Sequence, residues 1–176
     1  MDIIELSIKA YIQARKRVET GCEKYITECK KKGSNTILLT NDVEPFAALI
    51  EALFWAISLI ERKNDISLNQ EQIGLISGLR YIINIMKHCT EVFPVYSLHR
   101  PGIKISAVVE DNPDRPKIKD VTMEPTLVFG KIEDISANQG HSNQRENYIK
   151  CIQEKSVQDI MKKLDAMLKT LYPSDW

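Results

Sequence analysis

The chain has 176 residues, 43% hydrophobic and 27% charged, enough apolar surface to offset the entropy of folding around one core, which argues against disorder outside loops, and enough charge for solubility. Its 24 Lys and Arg offset 24 Asp and Glu, so no global field draws it to nucleic acid or an anionic membrane, and any phosphate binding must be local. The start Met1-Asp2-Ile3-Ile4-Glu5 lacks the positive region of a secretory signal, and the apolar run 52–60 is far short of the roughly 20 residues of a membrane span, so a cytoplasmic location without a membrane partner is expected.

Four cysteines, Cys22, Cys29, Cys89 and Cys151, are scattered, and Cys22 and Cys29 have no second Cys/His pair to complete a zinc set. They read as reduced packing residues, with no metal site and no cofactor expected.

In chain order, Ile4, Ile8, Tyr11, Arg15, Val18, Cys22, Tyr25 and Cys29 recur in steps of four and three, the heptad seam of a long helix over 1–33. Lys30-Lys31-Lys32 suits the negative end of its dipole and Gly33-Ser34-Asn35 stops it. A seam this long packs either within a bundle or against a second copy, so a homodimer is a live expectation. The run Thr40-Asn41-Asp42-Val43-Glu44-Pro45 carries cap residues and a first-turn proline, opening a second helix apolar on most sides, including Phe46, Leu49, Leu53, Phe54, Trp55 and Ile57. Asn69 with Gln72 caps a third helix that runs to about Glu91; these two form a core pair over 42–92.

From Val95 the texture changes. Ile103, Ile105, Ala107 and Val109 alternate with a period of two, a second strand fits Thr126–Ile132, and the loop Asp111–Lys117 between them predicts that the two pair antiparallel within an insert over 98–132. Tyr148, Cys151 and Ile152 begin another helix; Ser156 with Asp159 then caps a separate last helix carrying Ile160, Met161, Leu164, Met167, Leu168 and Leu171, for a C-terminal pair over 143–171. The expected architecture is a single mainly α domain over 1–176, a bundle of four to five helices with a two-stranded antiparallel β insert between the third and fourth.

No glycine-rich phosphate loop, Cys-x-x-Cys, His-Glu-x-x-His or Gly-x-Ser-x-Gly is present. The constellation left is Arg80, Asn84 and His88 at i, i+4 and i+8 on the third helix: a fixed cation, an amide and a titratable imidazole. Arg holds a phosphate and His moves a proton near neutral pH, the minimum kit for metal-independent RNA cleavage. The same three residues also suit the wet face of a buried helix, with Arg80 paired to a carboxylate. Of the other histidines, His99 and His141 fall in expected loops.

The run Gly78-Leu79-Arg80-Tyr81-Ile82-Ile83-Asn84-Ile85-Met86-Lys87-His88 resembles the signature helix of HEPN-type domains, whose motif is Arg, a polar residue often Asn, three residues, then His. Asn84 and His88 match; Ile83 stands at the motif arginine, and Arg80 lies one turn earlier. The Ala52-Leu53-Phe54-Trp55-Ala56 helix before the motif, the strands after it and the paired C-terminal helices meeting near Lys155-Ser156-Val157 are similar to uncharacterised bacterial HEPN-like proteins. The resemblance implies a helical domain that often dimerises through the motif helix. Its active members are ribonucleases of bacterial defence or toxin systems, while others bind RNA or nucleotides or are inactive. An enzyme of this kind would use His88 as general acid or base and Arg80 as phosphate clamp, beside Asn84.

Two other classes remain open at this level. One is a non-enzymatic antitoxin, immunity or structural protein that binds a protein partner through the heptad helix or the strand edges. The other is a small-molecule binder with an apolar pocket under the strands near Trp55 and Phe129.

Overall fold

The heptad spacing at the N-terminus becomes α1 (Ile3–Lys32), and its seam is used inside the chain. Ile8, Tyr11, Val18, Cys22 and Tyr25 are buried together with Ala14, whereas Ile4 and Arg15 are partly covered. The covering surface is α2 (Val43–Glu61), which buries Ala48, Leu49, Ala52, Leu53, Ala56 and Leu59. At Gly21 the two helices approach so closely that an added Cβ would lie 2.5 Å from Cβ of Pro45. The glycine that weakens α1 locally is therefore the point where the start of α2 rests. The computed structural model describes residues 2–32, 43–63, 67–88, 95–98, 104–109, 117–122, 126–134 and 142–175.

The reciprocal cap expected before the third helix is present: Gln72 N donates to Asn69 Oδ1 at 2.9 Å and Asn69 N to Gln72 Oε1 at 3.0 Å. It opens α3 (Gln70–His88), which buries Leu75, Ile76, Leu79, Tyr81, Ile82 and Ile85. Two helices close the chain, α4 (Ser142–Cys151) and α5 (Val157–Leu171). Ser156 caps α5, its Oγ accepting from Asp159 N at 3.3 Å, and the expected apolar face follows, with Ile160, Met161, Leu164, Met167 and Leu168 buried. The fold is thus mainly helical, with five α-helices among the described residues.

The strand expectation needs correction. The segment 103–109 does not pair with 126–132; β2 (Lys104–Val109) pairs antiparallel with β3 (Lys117–Thr122), and β1 (Val95–Leu98) pairs antiparallel with β4 (Thr126–Phe129). Val109 stands opposite Lys117 and Val95 opposite Phe129. The β2 segment meets its nearest neighbour in sequence, across a short connection whose closure costs little entropy. β3, Lys-Ile-Lys-Asp-Val-Thr, is too charged to stand out as a strand, and β1 is only four residues long. The predicted strand 126–132 is also too long: β4 ends at Phe129, and Ile132–Asp134 form a 3-10 turn.

β4 is the strand that joins the core. Leu127, Val128 and Phe129 are all buried, so it lacks the alternation of a half-exposed strand. On the side away from β1 it meets the connection between α4 and α5: Phe129 N donates to Lys155 O at 3.1 Å and Glu154 N to Phe129 O at 2.9 Å. Glu154 adopts φ 57, and this left-handed residue turns the chain from α4 toward the β4 edge. The Tyr148 hydroxyl donates to Gly130 O, and the Tyr172 hydroxyl donates to Leu59 O at 2.7 Å, tying the end of α5 to α2.

No helix among the described residues is long and apolar enough to cross a membrane.

Candidate functional site

An α-helix turns about 100° per residue, so each four-residue step overshoots a full turn by about 40°. A line drawn through positions 80, 84 and 88 therefore winds around α3. The structure shows the result. Arg80 faces α2, where its Nε donates to Glu61 Oε1 at 2.7 Å. Asn84 is turned toward α4, and its Nδ2 donates to Gln144 Oε1 at 2.9 Å.

Seven-residue steps return almost to the same line. Ser77, seven before Asn84, also faces α4, its Oγ accepting from Asn147 Nδ2 at 3.0 Å. Ser77 and Asn84 are thus rungs of the α3–α4 contact. Gly78 lies between them, where an added Cβ would come within 2.9 Å of Tyr148 N and 3.0 Å of Asn147 C. The absence of a side chain there lets α4 approach closely enough for the amide rungs to meet.

Arg80 and Lys87, again seven apart, share the line that faces α2. Together with Phe54, Ser58, Glu61 and Asn84 they line a groove of about 200 Å³ between α2 and α3. Phe54 is 41% exposed, an unusual state for a ring in this helix, and it rests edge-on against Trp55 with centroids 5.4 Å apart. Arg80 and Glu61 are similarly open to solvent, at 44% and 45% of their side chains. An exposed pair of this kind stabilises by less than about 1 kcal/mol and yields readily to a competing anion.

Arg80 and Asn84 therefore do not meet at one partner. Arg80 and Asn84 both border the α2–α3 groove, but each is committed to a different helix. His88 is the last residue of α3, and its side chain lies outside the described residues, as do His99 and His141. Ile83, at the position of the motif arginine, is partly buried and lines the groove. Sequence reasoning passed over Lys87 and Phe54. Lys87 was recoverable from its seven-residue spacing to Arg80, while Phe54 was hidden in a helix apolar on nearly every side.

Phe129 is fully buried in the core and Trp55 packs at its margin; among the described residues, neither lines the α2–α3 groove or the two clefts at the other end of α3. Among the described residues no group of three or more His, Cys, Asp or Glu is arranged to hold a metal ion.

No protein-family model matches the chain, and no match to a curated protein or to a solved structure is found.

Proposed function

We propose that the α2–α3 groove binds single-stranded RNA, with Arg80 and Lys87 holding the phosphate backbone and Phe54 offering a stacking face to a base. The observation that carries this is the exposed Phe54 ring beside two cations in one groove. Sequence-tolerant single-strand binding combines these two elements, stacking contributing about 1–3 kcal/mol per base and cations tracking the backbone. The HEPN resemblance of the α3 segment, a family with RNA-directed members in bacterial defence and toxin systems, points the same way.

Binding is favoured over catalysis by the division of the strip. Asn84 serves the α4 contact and Arg80 the α2 contact, so they are not aimed together at one reacting phosphate. The long heptad helix, the interface of the protein-partner alternative, has its apolar seam buried within the chain.

The test is fluorescence anisotropy with a labelled single-stranded RNA at low salt. Phe54→Ala and the double variant Arg80→Ala/Lys87→Ala should each weaken binding by about tenfold, the double variant also flattening the salt dependence. A wild-type protein that fails to bind, or variants that bind equally well, would sink the proposal. Incubating the same RNA without metal separates the enzymatic reading: cleavage by wild type that His88→Ala abolishes would establish a ribonuclease.

A further inference from the structure

A cleft larger than the α2–α3 groove lies at the other end of α3. About 550 Å³ opens between the first turns of α3, the last turn of α4 and α5, lined by three lysines, Lys150, Lys155 and Lys163, against one acid, Glu71. In a chain of formal net charge +0 this is a local excess of cations.

The lysines come from separate elements, each fixed in place. Lys150 stands in the last turn of α4, which Gly74 and Gly78 allow against α3. The backbone of Lys155 is held on both sides, its carbonyl accepting from Phe129 N at 3.1 Å and its N donating to Ile152 O at 2.9 Å. Lys163 is tethered to Glu71 at 2.6 Å, and this cation holds the Glu71 carboxyl below its ordinary value.

Two acids of the neighbouring segments are already engaged. Glu154 pairs with Lys131 at 3.5 Å and Asp159 with Lys162 at 3.9 Å. Among the described residues Lys150 and Lys155 have no ion-pair partner, although Lys150 also suits the negative end of the α4 dipole. The uncharged lining includes Gln70, Asn147 and Ile73, the last 45% exposed.

The geometry points to a binding site for a small molecule carrying two or three linked phosphates. Lysine ammoniums are compact point charges that suit phosphate oxygens, and cations on three elements match a chain of charges better than a single anion. The volume lies within the roughly 300–1,000 Å³ of small-molecule sites, leaving room for an uncharged portion against Ile73. Glu71 is the built-in competitor. Its bridge to Lys163 stands between this cleft and a smaller one of about 280 Å³ bordered by Asn69, Met167 and Thr170, and a polyphosphate engaging Lys163 displaces it.

The site is separate from the α2–α3 groove and does not depend on the RNA reading. Isothermal titration of the full chain with inorganic tripolyphosphate at low salt tests it. Saturable binding is expected, with Lys150→Gln/Lys155→Gln weakening it by about tenfold or more, Glu71→Gln tightening it severalfold by releasing Lys163, and Arg80→Ala leaving it unchanged. All four side chains are on the surface, and circular dichroism checks that each variant is folded. A parallel titration with a nucleoside triphosphate distinguishes a nucleotide, which would bind more tightly and lose that advantage in Ile73→Ser, from an inorganic polyphosphate, which would match it. The proposal is overturned by no saturable binding of tripolyphosphate, by unchanged affinity in the lysine variant, by weaker binding in Glu71→Gln, or by loss on Arg80→Ala.

Discussion

The Tyr11 hydroxyl donates to Asp165 Oδ1 at 2.6 Å, while Arg15 Nε holds Oδ2 of the same carboxylate at 3.2 Å. One acid on α5 thus partners two polar groups in the seam of α1, the Tyr11 pairing being 154 residues apart in sequence. It gives Arg15, the one charged member of the heptad seam, a place at the edge of the core. Tyr11→Phe should cost about 1 kcal/mol in urea unfolding.

A pH dependence comes with it. Burial first, and then the Asp165 carboxylate, push the Tyr11 hydroxyl well above its ordinary value of 10.0. The folded chain keeps a proton that the unfolded chain gives up near that value, so this contribution is intact below about pH 10 and is lost as the pH rises further. Wild type should therefore lose stability on the alkaline side faster than Tyr11→Phe, read as urea midpoints between pH 8 and 11.

Gly78→Ala should destabilise the protein although alanine is the better helix former. The propensity gain is about 1 kcal/mol. Against it, the new Cβ meets Ile152 Cδ1 at 2.8 Å and the α4 backbone at 2.9 and 3.0 Å. Backbone cannot turn aside as a side chain does, and overpacking of this kind costs about 1–3 kcal/mol. Gly74→Ala, which meets Cys151 Sγ at 3.0 Å, should be milder, and thermal unfolding of the two variants should rank them in that order.

Asn84 and Arg80 should separate by assay. Asn84→Ala removes the amide rung to Gln144 and should cost about 1 kcal/mol, with Asn84→Ala and Gln144→Ala non-additive in a double-mutant cycle. Arg80→Ala breaks an exposed ion pair and should change stability by less than about 0.5 kcal/mol, its effect falling on RNA binding instead. A large loss of stability in Arg80→Ala would make it structural.

Cys22 is 2% exposed, and burial pushes its thiol up to about 11. It should resist iodoacetamide at pH 8 in the native protein and react at the rate of global unfolding, as mapped by mass spectrometry of labelled peptides.

The features legible in the sequence are those decided within a few residues. The Asn69/Gln72 box and the Ser156/Asp159 cap are local hydrogen bonds, and both stand where the spacing puts them. The seam of α1 and the apolar face of α5 are equally local, since helical periodicity alone lines them up. The strands were read less well. β2 shows its alternation, but nothing within it says that Lys117–Thr122 is its partner, and the short β1 carries little pattern of its own. The candidate strip was legible in part: Arg80, Asn84 and His88 stand out as polar residues on an apolar helix, but the four-residue step did not give Arg80 and Asn84 one direction.

The single chain of 176 residues, read by itself, determined that helices dominate, where four of them begin or end, and that α3 carries an uncommon polar strip. Only the tertiary structure decided what that strip faces. The winding of about 40° per four residues sends Arg80 to Glu61 and Asn84 to Gln144, and which helices stand there is fixed by distant contacts such as Gly78 against Tyr148. The lysine cleft is the extreme case. Its cations belong to segments with no shared period, and they become neighbours because β4 holds Lys155 and Glu71 holds Lys163.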